Sequence, residues 1–423
     1  MSTDQLHKPE TKILPKLHFS SFNEGWESKK LSELLSESKE LNYDLKFGKE
    51  EVLSVSGEYG IVNQVAHLGR SYAGESVHNY HVVETGDIVY TKSPLKANPY
   101  GIIKINKGKP GIVSTLYAVY KVNKSTTYGL FLDYYFLLDA NTNRYLRPLV
   151  KKGAKNDMKI NNAYVLHDNV FVPSPNEQQK IATFLVSVDK WIQNLRFQKE
   201  SLEKYKKGMM QKLFTLQIRF RDKNGKDFPK WEFKTMEDLG DIYNGLSGKA
   251  SEDFGEGEPF ITYKQIFDNG EIDINKFALV RVAANERQNK AKFGDILITT
   301  SSETPEEVGF TSVLLDEVAT PYLNSFSFGL RPKNREIFIP LFAKYFFRAE
   351  PYRQQVVLLA QGSTRYNISK NSFLKIRLPV PSFREQRRIA DFLTSIEKLL
   401  ESKQQQINYA EKWKKGLLQK MFI

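Results

Sequence analysis

Apolar residues recur at steps of four and three in two stretches of the chain. In the first, after Pro175, they fall at Ile181, Leu185, Val188, Ile192, Leu195, Leu202, Met209 and Leu213. In the second they fall at Ile389, Leu393, Ile396, Leu400, Ile407, Ala410, Leu417 and Met421. This alternation is the heptad spacing of a coiled-coil seam, and it predicts two long helices. No proline interrupts either run, and only Gly208 and Gly416 intrude, close to the ends. Some seam positions carry lysine: Lys199 and Lys206, then Lys403 and Lys414. A lysine there restricts register and partner choice. Alternatively its stem lies along the seam and its ammonium reaches water. Both readings stay open at this point.

The two stretches are copies. Val172-Pro173-Ser174-Pro175-Asn176-Glu177-Gln178 returns as Val380-Pro381-Ser382-Phe383-Arg384-Glu385-Gln386, 208 residues later (Glu177 to Glu385). The helix ends, Tyr205-Lys206-Lys207-Gly208 and Trp413-Lys414-Lys415-Gly416, keep the same offset. A repeat of this length dictates the architecture. A helix of about 39 residues spans about 58 Å, too long to wrap into a compact domain. The stripes are expected to bury on each other, antiparallel, with pseudo-two-fold symmetry and a globular segment near each end.

The globular segments repeat more weakly. Gly86-Asp87-Ile88 matches Gly294-Asp295-Ile296 at the same offset, and Gly153 to Ile160 parallels Gly362 to Ile368. Phe19, Trp26 and Leu31 resemble Phe220, Trp231 and Met236. Turn-bounded β-rich runs predict strands at Glu51–Val55, Asp87–Thr91, Ala118–Val122, Asp295–Thr299 and Phe326–Arg331. Helices are predicted at Gly129–Asp139 and Ile339–Phe347. The class is α+β: two related mixed α/β domains joined by two long antiparallel coiled-coil helices. The expected boundaries are a flexible tail at 1–16, a domain at 17–173, a spacer helix at 174–217, a second domain at 218–380 and a second spacer at 381–423.

Composition narrows the chemistry. The 423 residues carry a net charge of +13 and a pI near 9.3, which suits a polyanionic partner. There are no cysteines, so disulfides, thiolate zinc sites and cysteine nucleophiles are excluded. The expected compartment is the cytoplasm, since the polar N-terminus carries no signal-peptide core. No Gly-Lys dipeptide is followed by Ser or Thr, so no Walker-type phosphate loop is present. Asn98-Pro99-Tyr100 approaches a methyltransferase Asn-Pro-Pro-aromatic motif but lacks a proline, and reads as a turn. Asp222, Glu232 and Lys234 could be forced into a nuclease pattern, but such triplets arise by chance in a chain this charged. All six histidines lie in the first half, against a duplicated metal site, and none is taken as a ligand.

The order of a variable domain, a short Pro-x-Pro, Glu-Gln, then Ile-Ala-x-Phe-Leu opening a long helix, all repeated once, resembles the specificity subunit of Type I restriction–modification systems. The resemblance runs from about Leu17 to Ile423. Phe383 replaces the second proline of the motif, and the Gly153–Ile160 segment lacks the arginine of Gly362-Ser363-Thr364-Arg365-Tyr366. The resemblance implies two target recognition domains, each reading one half of a split, asymmetric duplex DNA site. It implies spacer helices that dock two modification (adenine-N6 methyltransferase) subunits, with Glu177, Gln178, Ile181, Leu185, Glu385, Gln386, Ile389 and Leu393 as the helix residues concerned. Two restriction (translocase–nuclease) subunits would join them. S-adenosylmethionine, ATP and magnesium would belong to those partners, and the chain itself would be non-catalytic, without catalytic or metal-binding residues. A spacer of that length corresponds to about 17 base pairs at 3.4 Å rise.

The candidate DNA contacts are basic and amide residues in loops after strands. In the first domain they are Lys92, Ser93, Lys151, Lys152 and Lys155, with Lys96, Arg144 and Arg147 nearby. In the second they are Tyr263, Lys264, Gln265, Thr300, Ser301, Ser302, Arg365 and Tyr366. Lysines would meet phosphates, while Arg, Gln and Ser/Thr suit base edges. Arg365 is favoured, because its fork fits phosphate or guanine. Two rival functions are a coiled-coil interaction scaffold, which would bind partners indifferently to salt, and a stand-alone methyltransferase or nuclease, which the missing motifs oppose.

Overall fold

The structure is a computed structural model that describes residues 12–74, 76–92, 97–152, 158–334 and 336–422. The chain divides into two compact units. Unit one comprises Met1–Leu195 with Gln406–Ile423, and unit two comprises Arg196–Gln405. The two long helices, Pro175–Phe214 and Phe383–Met421, each contribute one part to each unit.

Both units are built on one frame. In unit one a four-stranded antiparallel sheet runs Leu35–Glu37, Tyr117–Val122, Ile88–Thr91, Ile102–Ile105. In unit two the order is Gly240–Asn244, Ser327–Pro332, Ile296–Thr299, Thr311–Val313. A two-stranded ribbon ties the entry of each domain to its exit: Glu27–Lys30 with Asn169–Val172, and Glu232–Thr235 with Arg377–Val380. The repeated Gly-Asp pairs belong to this frame. Gly86 and Gly294 sit at φ +94° and +83°, where side chains are strained. The buried Asp87 accepts from the Glu84 amide and from Lys121, while Asp295 accepts from the Lys292 amide, Tyr243 and Arg331. The predicted helix at Gly129–Asp139 is two helices, Gly129–Tyr135 and Asp139–Leu146. The predicted tail is partly fixed. Ile13 bridges Trp26, and the Leu17 amide donates to Lys420 O at 2.9 Å. Its first 11 residues lie outside the described ones.

The heptad stripes are buried as their spacing requires. Ile181, Leu185, Val188, Ile192 and Leu195 join the core of unit one with Ile407, Ala410, Leu417 and Met421, while Leu213, Ile389, Leu393 and Ile396 join that of unit two. Within each unit the helix segments run antiparallel. In unit one Phe422, past the end of the second helix, packs on Trp26 and Phe131 beside the start of the first. In unit two Phe214, ending the first helix, packs on Phe342 and Phe346 of the helix whose entry Gln386 holds. Two of the seam lysines, Lys206 and Lys414, pair with carboxylates of the facing helix. Lys414 pairs with Asp189, and Tyr134 donates to the same carboxylate. In unit two Lys206 pairs with Glu397, which also takes the Tyr345 hydroxyl and Lys344. Asp189 and Glu397, like Lys206 and Lys414, are repeat counterparts, so a tyrosine–carboxylate–lysine contact recurs in each unit.

The Glu-Gln pair that opens each helix is the firmest join between helix and domain. Gln178 Oε1 accepts from Thr127 Oγ1 at 2.7 Å and the Tyr128 amide at 2.9 Å, and its Nε2 donates to Pro173 O at 2.9 Å. Gln386 repeats this, accepting from the Ile339 amide at 3.0 Å and donating to Ile337 O and Pro381 O. Tyr128 and Ile339 are the N-cap residues of matching helices. Glu385 accepts from Trp231 Nε1 at 3.0 Å and from Arg219 Nε and Nη2. Glu177 lacks that support. His18 stands where Arg219 would be, and Trp26 Nε1 lies near without closing a hydrogen bond. Burial raises the Glu177 pKa above the ordinary carboxylate range, and Trp26 and His18 only partly oppose it. These four residues, assigned to the docking helices, are buried inside their own units, and Gln178, Glu385 and Gln386 find their partners there.

Glu385→Gln is expected to cost about 3 kcal/mol in denaturant unfolding, since it breaks a buried pair. Glu177 behaves oppositely. Its folded pKa is raised, so its charged form destabilises above that pKa and the cost fades as pH falls toward the unfolded value. Glu177→Gln should leave stability unchanged or higher at pH 7 and flatten its dependence on pH between 7 and 4.

Candidate nucleic-acid interface

In unit two, two loops and a short helix meet around a cavity of about 380 Å³. The helix is Tyr263–Asp268, capped by Thr262, and its i,i+4 aromatics Tyr263 and Phe267 stack at 5.9 Å. The first loop continues the strand Ile296–Thr299 through Ser301 and Ser302 to Glu303 and Glu307, and the second carries Arg365. Ser301 and Ser302 pair with Asn367 and Tyr366 in an antiparallel ladder, so both loops leave one rigid base. Phe326 stands 55% exposed at the rim. It was expected to begin a strand, but the strand starts at Ser327 and leaves the ring in solvent.

Hydrogen bonds set these walls. The Tyr263 hydroxyl donates to Ser301 O at 2.6 Å, Ser302 Oγ donates to Glu307 at 3.0 Å, and Thr300 Oγ1 donates to Phe326 O at 2.7 Å. Burial raises the Tyr263 pKa, so it stays a neutral donor. Two arginines that sequence reasoning missed brace the walls. Arg348 donates to the carbonyls of Ile266, Phe267 and Asn269, holding the end of the short helix. Arg353 donates to Val308 O and Glu306 O, holding the turn after Glu303. Desolvation pushes Arg348 down to about 10, which leaves it charged at neutral pH.

Of the expected contacts, Tyr263, Ser301, Ser302 and Arg365 line this cavity. Thr300 and Tyr366 adjoin it in sequence, and Lys264 is exposed beside it, paired with Asp268 at 2.7 Å. Gln265 is a correction. It sits on the buried face of the helix and donates to Lys276 O, so it is not available as a base reader. A segment read as a loop is a helix here, and a helix sends adjacent residues to different faces. Phe267, Phe326, Glu303 and Glu307 were not anticipated. The i,i+4 spacing of Tyr263 and Phe267 was the one signal available in the sequence.

Unit one has a different surface. Lys151 and His167 line a cavity of about 430 Å³ with Tyr164, whose ring lies 5.1 Å from that of His167. The backbone at Lys151–Lys152 pairs with Met158–Lys159. Lys92 is half-buried, its pKa lowered by desolvation against the pull of Glu37. Ser93, Lys96 and Lys155 lie outside the described residues. Arg144 is exposed and bonded to Asn141. Asn98 donates to Asp139, and its carbonyl closes a turn to Gly101, in keeping with a turn rather than a methyltransferase motif. Among the described residues no cluster of three metal-ligating side chains occurs, and no helix is long and apolar enough to cross a membrane.

A second surface recurs in both units. In unit one Phe19 meets Phe184, and Trp413 meets both Phe184 and Trp191. In unit two Phe220 meets Phe392, which meets Tyr205. Phe184 and Phe392, like Tyr205 and Trp413, are repeat counterparts, and Trp413 and Tyr205 are 40% and 50% exposed.

Residues 229–412, which hold the cavity, its braces and most of the second helix, match the family described as Type I restriction modification DNA specificity domain. Over that stretch the chain is similar to the Type I restriction–modification specificity subunits. It is 27% identical over 362 residues to the "Putative type I restriction enzyme MjaX specificity subunit" of Methanocaldococcus jannaschii, covering 81% of this chain and 79% of that one. With the MjaVIII specificity subunit of the same organism the identity is 28% over 270 residues, 60% of this chain and 61% of the relative. Solved structures share the fold. A chain from work on complex assembly and conformational transition of the type I R-M system aligns with TM-score 0.57 at 18% identity, covering 94% of this chain and 97% of that one. The S subunit of Thermoanaerobacter tengcongensis gives 0.53 at 15%, covering 95% and 97%.

Gln265→Ala should lower stability by about 1–3 kcal/mol, the cost of losing a buried hydrogen-bonded amide. DNA affinity of the folded protein should not change, as measured by fluorescence anisotropy beside unfolding curves.

Proposed function

We propose that the chain is the non-catalytic DNA-reading subunit of a methyltransferase–endonuclease complex, and that it reads a two-part asymmetric duplex target. One observation carries this reading: the frames of the two units repeat while the concave surfaces of their described residues do not. The four-stranded sheet, the Glu-Gln join and the tyrosine–carboxylate–lysine contact recur. Among the described residues of unit one the concave surface is formed by Tyr164 and His167, unlike the cavity edged by Arg365 and Phe326, while the residues that match its two loops by the repeat, 93–96 and 153–157, lie outside the described ones. Like frames with unlike surfaces suit two different half-sites, whereas like surfaces would suit a palindrome.

The recurring aromatic patches suit a second task. Two copies of one partner need the same surface twice, and exposed aromatics anchor protein interfaces well. The patches around Trp413 and Tyr205 are the docking points proposed here for two modification subunits. S-adenosylmethionine would be held by those subunits, and ATP and magnesium by two restriction subunits.

Co-expression with the modification subunits, followed by genome-wide mapping of methylated adenines, tests the reading. One new bipartite motif is expected, and exchange of residues 21–173 for another domain should alter one half of it alone. Absence of any new motif would remove the proposal. DNA binding should weaken steeply with salt, log K falling with log salt by about 0.9 per phosphate contact. Binding that ignores salt and sequence would favour a protein scaffold instead.

A further inference from the structure

The ladder that supports the unit-two cavity stops one step short of two opposite charges that do not pair. Ser301 faces Asn367 and Ser302 faces Tyr366. Continuing that register by one step sets Glu303 against Arg365. Both side chains are exposed and both line the cavity. Among the described residues neither makes a hydrogen bond or an ion pair, with each other or with anything else. Their neighbours are committed: Glu307 accepts from Ser302, and Arg348 and Arg353 bind backbone carbonyls. A donor fork and a carboxylate thus line one cavity with their side-chain hydrogen-bonding capacity unspent.

A carboxylate on a surface that meets DNA is repelled by phosphates, and base-edge donors offset that repulsion. In the major groove the donors are cytosine N4 and adenine N6. An arginine fork prefers the paired acceptors O6 and N7 of guanine. Both pairs offer two acceptors and one donor there, but only G·C sets the two acceptors side by side with the donor next to them, whereas A·T places its donor between them. We infer that Glu303 and Arg365 together read one G·C pair in the half-site of unit two, Arg365 on the guanine and Glu303 on the cytosine amino group. Phe326 and Tyr263, at the rim and wall, supply apolar surface beside that pair. This inference rests on the DNA-reading function proposed above and assigns its residues.

The test is methylation mapping of the full complex with Arg365→Ala, Arg365→Lys and Glu303→Ala, with unfolding curves checking that each variant folds. Each should relax the same position of the same half-site, where the wild type requires G·C, with discrimination falling about 10- to 100-fold. The other half-site should be unchanged. Arg365→Lys keeps the charge and loses the fork, so it should also relax that position. The inference is overturned if the second half-site holds no G·C pair, if the variants relax different positions, or if methylation drops evenly at all sites, the mark of a phosphate contact. A wild-type complex that writes no bipartite motif would instead overturn the broader reading.

Discussion

The orientation of each recognition surface depends on one buried amide side chain. Gln178 and Gln386 sit at the first turn of helices 40 and 39 residues long, and each binds the N-cap amide of a domain helix while also holding the chain before its own helix. A long helix is a stiff rod, but a rod joined to a domain by a flexible link aims nothing. A glutamine buried with its oxygen and nitrogen both satisfied removes that freedom, because any rotation of the domain would strand a polar group in the core. The glutamate before it adds an indole and a guanidinium in unit two, and neither in unit one. The two joins therefore share geometry and differ in electrostatic support.

The chain's positive charge serves two purposes. Much of it is structural. Lys121 and Arg331 answer the buried aspartates of the repeated turns, Lys206 and Lys414 cross between helices, and Arg348 and Arg353 brace the cavity walls. An arginine suits bracing because its planar fork reaches several carbonyls at once. Arg365 differs: among the described residues its side chain makes no hydrogen bond or ion pair. A high pI thus points toward a polyanion without saying which cations meet it, and partners must be found for each in turn.

Some of this was legible in the chain. The 208-residue repeat, the seam residues from Ile181 to Met421, the central strands at Ile88–Thr91 and Ile296–Thr299 and the short helix at Pro340–Phe346 all follow local periodicity, which a sequence carries openly. The cavity followed in part: Arg365 and Ser301 were suspected from their turn and loop. Gln265 was misplaced because its segment is helical, and one helical step turns it inward. Glu303 was passed over because an acid on a basic protein reads as solvated surface until the strand register sets it against Arg365. The Glu-Gln motif was found but given the wrong neighbours, since a repeated polar pair looks the same whether it faces a partner or its own core.

The sequence alone determined that this is a duplicated chain with two alike helices and two unlike heads, because helical period and repeat offset are one-dimensional properties. It also determined which chemistries are missing, since cysteine chemistry and a phosphate loop need residues that are absent. Only the tertiary structure decided which polar residues are spent inside and which are left for a ligand. Hydrogen-bond satisfaction is settled between segments as distant as Arg219 and Glu385, and nothing in the order of the residues records which side chains will meet.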